Sequence, residues 1–530
     1  MTVHSAQLIP DTAPFTPGER ALLNDFFVRV FGLNKPASAS PVAVQSKGPL
    51  QDGDDGAAPW HDPAMPLDDR MQLARGRPLR RRMMAAMGQQ DCGQCGYNCE
   101  DYANSIFLQA EPRLNLCVPG GKTTARMLKA LVEEMGGGVL DPDEQAAKLS
   151  AKPGTSTDAR HGRSRAKPVP AALLSRRKLN GAGSQKATYH IDIDLTGTDL
   201  DYAAGDSVGI FPANDPVLVD WIIAAIAAPA DFPIAGRPLR DVLIEETSLS
   251  PAPDALFQFI SYLTGGERRK KAQALAKGED PDGDAAMLDV LAALEKFAGI
   301  RPDPEAFIEA LDPLQPRLYS ISSSPRARPS LVSLTVDMVR YEIAGRQRSG
   351  VASSYLCERA GLRGELKVYI QRAHGFGLPA ASDTPIIMVG PGTGIAPFRA
   401  FLHERALSPS PGRAWLFFGH QHEATDFFYR EELAQFLQAG TLTKLSTAWS
   451  RDGATKVYVQ DRMRQAGSEL WAWLQDGAHF YVCGDALRMA KDVETALVEI
   501  AAKEGGMNGE AANAFVAQLK MLGRYQADVY

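Results

Sequence analysis

From Pro385 onward, short apolar runs alternate with longer amphipathic stretches. PIIMVG, AWLFFG and HFYVCG read as strands with helices between them. A short apolar run without polar alternation is a strand buried on both faces, and helical crossovers between such strands dictate a parallel sheet covered on both sides. No other feature narrows the fold as far. The segment MVGPGTGIAPFRAFLHERA (388–406) adds strand, glycine loop and helix in one piece. Gly390, Gly392 and Gly394, with Thr393 among them, allow tight turns and close approach of a pyrophosphate to the backbone, and Pro397 suits the first helical turn.

Upstream the pattern is different. TYHIDIDL (188–195), DSVGIFP (206–212), SLVSLTVDMVRYEI (330–343) and GELKVYIQ (364–371) read as strands, by alternation or as apolar runs bounded by turn residues. Residues 215–312 are mostly helical in pattern, with a loop around GEDPDGD. Within RLYSISSSP (317–325), Arg317 can pair with a phosphate through its planar fork, and Tyr319 can cover a flat ring. Ser320 can hydrogen-bond the reactive edge of an isoalloxazine, and Leu318 lies between them. Gly350, Val351, Ala352 and Ser353 open a helix, where free N–H groups and the helix dipole suit a pyrophosphate.

The chain has 530 residues, 6 of them cysteine. At roughly 150 residues per domain, about three domains are expected. Cys92, Cys95, Cys99 and Cys117 crowd together in the spacing C-x2-C-x3-C-x17-C, while Cys357 and Cys483 stand apart. That distribution fits a metal site better than a disulfide framework. Three thiolates in a tight loop and a fourth from a distance suit an iron–sulfur cluster, and Gly93 and Gly96 let the loop turn. A structural zinc site is the alternative, although zinc modules usually show two separated cysteine pairs. The arginine run Arg75, Arg77, Arg80, Arg81 and Arg82 precedes the cysteines. Its default reading is a solvated helix face; a docking patch, or a field favouring a reduced cluster, are the alternatives.

Ser450 and Arg451 end a further strand (KLSTAWSR), and Lys456, Val457, Tyr458, Val459 and Gln460 follow. A 2′-phosphate calls for cations and a hydroxyl, a free 2′-hydroxyl for a carboxylate. Ser450, Arg451 and Lys456 therefore favour NADPH, with Tyr458 available to stack on adenine. Cys483, in YVCGD, ends a strand where a ligand crevice would open. Cys357 reads as a core or helix-face residue.

The net charge of -6 gives no reason to expect nucleic-acid or membrane-surface binding. No stretch approaches the ~20 apolar residues that span a bilayer, and MTVHSAQLIPDTAPF lacks the pattern of a secretory signal, so a cytoplasmic location is expected.

Two resemblances extend this reading. CGQCGYNCEDYANSI followed by LNLCVPGG looks like the small four-cysteine [4Fe–4S] domain of bacterial electron-transfer subunits, which commonly have one more residue between the second and third cysteines. From about residue 167 to Tyr530 the chain resembles the flavoprotein (alpha) subunit of NADPH-dependent sulfite reductase, in the diflavin branch of the ferredoxin–NADP reductase superfamily. RLYSI, GPGTGIAPFRAF, WSRD, KVYVQD, DGAHFYVCGD, RMAKDVE and RYQADVY carry it. The resemblance implies FAD contacts at Arg317, Tyr319, Ser320, Thr335, Val336, Asp337, Tyr341, Gly350 to Ser353 and Tyr530. It implies NADP contacts at Ser450, Arg451, Lys456 to Gln460 and Asp492. Ser320, Cys483 and Asp528 would surround the site of hydride transfer, with the terminal Tyr530 over the flavin.

The expected fold class is therefore multidomain α/β and β. Residues 1–70 would be an N-terminal helix (17–33) and a flexible linker (from 34), 71–142 the four-cysteine [4Fe–4S] domain, and 143–166 a second linker. Residues 167–378 would form an antiparallel β-barrel FAD domain with a helical connecting insert, and 379–530 a parallel-sheet NADP-binding domain. The family normally has an FMN-binding flavodoxin domain ahead of the FAD domain. The four-cysteine segment occupies that place here, so FAD and NADPH are expected and FMN is not. Electrons would pass from NADPH to FAD, to the cluster, and on to a separate siroheme-containing beta subunit. A nitrate or nitrite reductase as acceptor, or a zinc-bound docking module on an FAD reductase, are the rival expectations.

Overall fold

The computed structural model describes residues 58–136, 161–373 and 375–530. The expected helix at 17–33, the residues before it, and the linkers up to residue 57 and over 143–160 lie outside the described residues.

Four helices surround the cysteines: Leu67–Leu73, Leu79–Ala86, Cys99–Phe107 and Gly121–Gly136. Met83, Met87, Tyr102, Ile106, Leu128 and Leu131 form their common core. The third helix starts where it does because the Asn98 side chain accepts from the Asp101 N–H at 2.6 Å, while Glu100 and Asp101 complement the positive helix end. Residues 58–66, expected as linker, instead form turns that bury Trp60 completely. The arginine run is only partly a solvated face: Arg75 is exposed and Arg82 pairs with Glu134 near the surface. Arg80 and Arg81 are buried, and Arg81 and Arg77 lie over the Trp60 ring, so the indole gives these cations a partner that water cannot.

Next comes a six-stranded antiparallel sheet. Its strands are β1 (Val169–Lys178), β2 (Thr188–Asp194), β3 (Ser207–Phe211), β6 (Arg317–Ser320), β7 (Leu331–Asp337) and β10 (Glu365–Gln371), in the order β6-β3-β10-β1-β2-β7. A bridge from Ile321 to Leu334, and the Ser322 N–H donating to the Ser333 carbonyl at 2.7 Å, bring the two ends of that order together. Residues 161–166, expected as linker, pack against this sheet: the Ile370 N–H donates to the Gly162 carbonyl at 2.8 Å. Between β3 and β6 lie six helices, from Pro216–Ile226 to Pro304–Glu309, with their own core around Phe257, Phe297 and Phe307. A two-strand pair, β4 (Pro233–Ile234) and β5 (Arg237–Pro238), interrupts them.

The run 330–343 is not one strand. It breaks after Asp337 and resumes as β8 (Arg340–Ile343), paired with β9 (Arg346–Ser349) in a separate hairpin. Ala344 and Gly345, at φ 49° and 74°, make the two-residue turn that suits the twist of such a hairpin.

The C-terminal region is a five-stranded parallel sheet of β11 (Ile386–Val389), β12 (Ala414–His420), β13 (Lys444–Trp449), β14 (His479–Gly484) and β15 (Tyr525–Val529), in the order β13-β12-β11-β14-β15. Met388, Phe418 and Tyr481 point to one buried face and Val389, Phe417 and Val482 to the other, which is why these strands are apolar throughout. The chain leaves β11 for β12 on one side and reaches β14 on the other. The carboxyl ends of β11 and β14 therefore flank a topological switch point, the usual place for a ligand crevice. No helix among the described residues is long and apolar enough to cross a membrane.

Candidate functional site

A cavity of about 980 Å3 lies among the described residues. Arg317, Leu318, Tyr319 and Ser320 on β6 border it, as do Thr335, Val336 and Asp337 on β7, Tyr341 on β8, and Gly350 to Ser353 at the helical turn beyond β9. Thr393, Asp528 and Tyr530 reach it from the parallel sheet, and Gln90, Asp91, Cys92 and Gln94 from the cysteine segment. It lies between three parts of the chain and is large enough for a cofactor-sized molecule.

Charge is distributed unevenly around it. Arg317 donates to the carbonyls of Gln315 and Pro316, and no carboxylate among the described residues pairs with it. Burial lowers its pKa, against a smaller upward pull from Tyr319. Arg348 is buried too, but Asp289 neutralises it at 2.6 Å. Asp337 is occupied by Lys186 and Thr188, and the Thr335 hydroxyl by Tyr429 at 2.7 Å.

At the opposite end Ser320, Cys483 and Asp528 meet. The Ser320 hydroxyl donates to the Asp528 carboxylate at 2.5 Å, and the Cys483 thiol lies 3.8 Å from the same oxygen. Burial raises the Asp528 carboxyl above its ordinary value, while the bonds from Ser320 and Cys483 pull the other way. Burial, then the Asp528 charge, pushes the Cys483 thiol well up. Tyr530 is tethered through its N–H to the Gly484 carbonyl at 3.0 Å and through its hydroxyl to Thr393 at 2.7 Å.

The glycine loop has a packing reason as well as a ligand reason. A Cβ on Gly394 would sit 2.1 Å from the Cys483 carbonyl, and one on Gly390 would sit 2.4 Å from the Gly394 carbonyl. Only glycine lets the loop close against the end of β14. Gly392 takes φ 58°.

The second expected group lies along the carboxyl edge of β13. Ser450 donates to the His420 carbonyl and Arg451 to the Gln185 side chain, while Tyr458 caps the helix Val459–Gln465. Arg451, Lys456 and Tyr458 are exposed, and no carboxylate among the described residues pairs with either cation. Gln460 donates to Asp492 at 3.2 Å. Val459 is different: it is buried in the sheet's core, with Val457 packed against it.

Cys92, Cys95, Cys99 and Cys117 are free thiols that line one small cavity, together with Met87, Gly88, Gln90, Tyr97, Tyr102 and Pro119. Among the described residues, no three His, Cys, Asp or Glu side chains converge closely enough to hold a single metal ion. The donor set is nevertheless all thiol. The Gly88 N–H points at the Cys117 sulfur at 3.3 Å, and Gly93 and Gly96 take φ 68° and 95°. Burial pushes Cys92 up to about 11 and Cys95 up to about 12, and raises Cys99 and Cys117 as well. Such thiols ionise only when a cationic centre replaces the proton. Four thiols line one small cavity, with a backbone N–H aimed at one sulfur, and thiols are the donors that soft metal centres take. Cys357 is a buried core residue.

Several residues that shape the site left no local signal in the sequence. Gln94, Arg165 and Gln371 meet across long stretches of chain: Arg165 donates to the Gln94 carbonyl at 2.8 Å, and Gln371 packs on Gly93. The Asp289–Arg348 pair is equally remote. Only the fold brings them together.

Comparison with known proteins matches the same regions. Residues 161–235 and 235–355 match the family described as FAD binding domain, and residues 388–495 the oxidoreductase NAD-binding domain. The chain is 44% identical over 368 residues to the sulfite reductase [NADPH] flavoprotein alpha-component of Shigella dysenteriae serotype 1 (strain Sd197), covering 68% of this chain and 61% of that one. It is 43% identical over 373 residues to the proteins of the same name from Escherichia coli O157:H7 and Escherichia coli (strain K12), again covering 68% of this chain and 61% of each. The chain thus spans about 61% of the length of the curated relatives it matches. It carries an FAD-binding domain followed by an NAD-binding domain of oxidoreductase type.

Proposed function

We propose that this chain oxidises NADPH and passes the electrons, by way of FAD and a [4Fe–4S] cluster on Cys92, Cys95, Cys99 and Cys117, to a separate siroheme-containing sulfite reductase subunit. The choice of acceptor rests on the similarity to relatives named for sulfite reduction. The relay rests above all on one observation: Cys92 and Gln90 belong to the walls of both the large cavity and the four-cysteine cavity. A cofactor in the large cavity would lie next to a ligand of the cluster.

Bound FAD supplies hydride uptake and one-electron release, and a bound cluster takes electrons singly. The chain's own residues supply the positioning. Arg317 and the N–H groups at Gly350 to Ser353 would hold the pyrophosphate, with Tyr319, Thr335, Val336, Asp337 and Tyr341 along the body of the molecule. Tyr530 would cover the ring at the end where Ser320, Cys483 and Asp528 meet. Gly390 to Gly394 would admit the nicotinamide dinucleotide, and Ser450, Arg451, Lys456 and Tyr458 would read its 2′-phosphate. The cysteine domain (71–142), the FAD barrel with its insert (167–378) and the NADP-binding domain (379–530) would then work in that order from exit to entry, in the cytoplasm and without FMN.

Anaerobic titration with NADPH tests the relay. The flavin band should bleach first and the cluster absorbance next, with iron and acid-labile sulfide present in equal amount. Zinc in place of iron, or a cluster that stays oxidised in FAD-replete protein, refutes it. A deletion strain that still grows on sulfate refutes the acceptor.

A further inference from the structure

The outer face of β10 carries a side chain that nothing above uses. Leu366, Val368 and Ile370 point into the core beneath the antiparallel sheet, so Lys367, Tyr369 and Gln371 point the other way. Tyr369 is nevertheless completely buried. Its ring lies against Gly209, its partner across the β3–β10 ladder, where a Cβ would stand 2.0 Å from the ring. Gly209 therefore makes the space in which the phenol lies.

The cysteine loop closes over the same surface. Gly93 sits against Gln371 and Gly96 against Arg165. Arg165 donates to the Gln94 carbonyl at 2.8 Å and to the Gln315 side chain at 2.7 Å, and Gln94 donates to the Pro316 carbonyl at 2.6 Å. One polar group in this seam stands out. The Tyr369 hydroxyl is shut off from water and has no hydrogen-bond partner among the described residues. It lies within electrostatic reach of the Cys92 and Cys95 thiols and of Arg165. A buried hydroxyl without a partner is costly, and such groups mark a missing acceptor.

We propose that Tyr369 is a positioning residue of the four-cysteine site, whose buried phenol donates a hydrogen bond to a sulfur of the cluster held by Cys92 and Cys95. Hydrogen bonds to cluster sulfurs stabilise the more negative, reduced state and raise the potential. Tyr369 thereby makes the cluster a better acceptor for electrons leaving the adjacent cavity. This inference rests on the cluster proposed above.

The test is Tyr369→Phe, which removes one oxygen and leaves the ring against Gly209. EPR-monitored potentiometry should show the cluster potential falling by an amount equal to about a tenfold change in its reduction equilibrium, about 59 mV for one electron. The flavin potential, FAD content and iron content should stay unchanged. Resonance Raman iron–sulfur bands should shift in D2O for the wild type and not for the variant. An iron-replete variant with the wild-type cluster potential overturns this inference alone. Wild-type protein purified anaerobically without iron overturns it together with the relay.

Discussion

Ser320 and Asp528 stand 208 residues apart in sequence and 2.5 Å apart in space, and their hydrogen bond joins the antiparallel sheet to the last strand of the parallel one. The bond lies at the switch-point end of the large cavity, beside Cys483. Asp528→Asn keeps the shape and loses the carboxylate. It should slow stopped-flow reduction of the flavin by NADPH about 100-fold, the low end for a positioned acid–base group, with little change in KM. A rate within a factor of two of wild type would remove Asp528 from the chemistry.

Arg451 and Lys456 face solvent with no carboxylate partner among the described residues, which is how a phosphate-reading edge differs from an ordinary charged surface. A hydrogen bond to a charged group contributes roughly 1.5–3 kcal/mol, so Arg451→Ala should raise KM for NADPH on the order of 10- to 100-fold while leaving NADH turnover unchanged. Steady-state kinetics with both nucleotides checks this, and equal losses for the two would count against a 2′-phosphate contact.

Arg126 clamps the helix Gly121–Gly136 to Asp254 of the helical insert through bonds of 2.7 and 2.8 Å. The pair is partly exposed, so Arg126→Ala should cost only about 0.2–1 kcal/mol of stability. Its local effect should be larger. Amide exchange in residues 121–136 should quicken while the parallel sheet keeps its protection, and unchanged exchange would mean that other contacts hold the seam.

Glu432 lies between Arg399 and His403, at 2.6 and 2.8 Å. Burial works against its ionisation, but the hydrogen bonds from His403 and Arg399 win and hold the carboxyl down at about 2. A depressed carboxyl stabilises the fold fully above its ordinary range and loses that contribution as pH falls through about 2. Glu432→Gln should therefore be less stable than wild type to urea at pH 7, with the gap narrowing steadily below about pH 4.5. A gap that widens on acidification would show that another group governs acid stability.

The sheets were legible where one physical rule dominated. The runs at Ile386, Ala414 and His479 are apolar because both faces are covered, and nothing else gives that pattern. Strand β1 was missed: VPAALLSRRK alternates poorly, because a register shift between Leu173 and Ser175 breaks its period. The arginines were misread for a related reason. Charge predicts exposure, but Trp60, far from them in a segment that looked like linker, takes Arg77 and Arg81 on its ring. In the site, residue type announced Arg317, the glycine loop and the cysteines. The seam formed by Gln94, Arg165, Gln371 and Tyr369 was silent, since no local spacing encodes a contact between a loop and a strand this far apart in sequence.

That seam also sets an order of assembly. Gln94 bonds to the carbonyl of Pro316, 222 residues later. At roughly 5–20 residues per second the ribosome takes about 10 to 45 s to reach that carbonyl, and longer to reach β10. During that interval the side of the loop that β10 later covers is open, so the proposed cluster would have to be inserted before folding shuts that side.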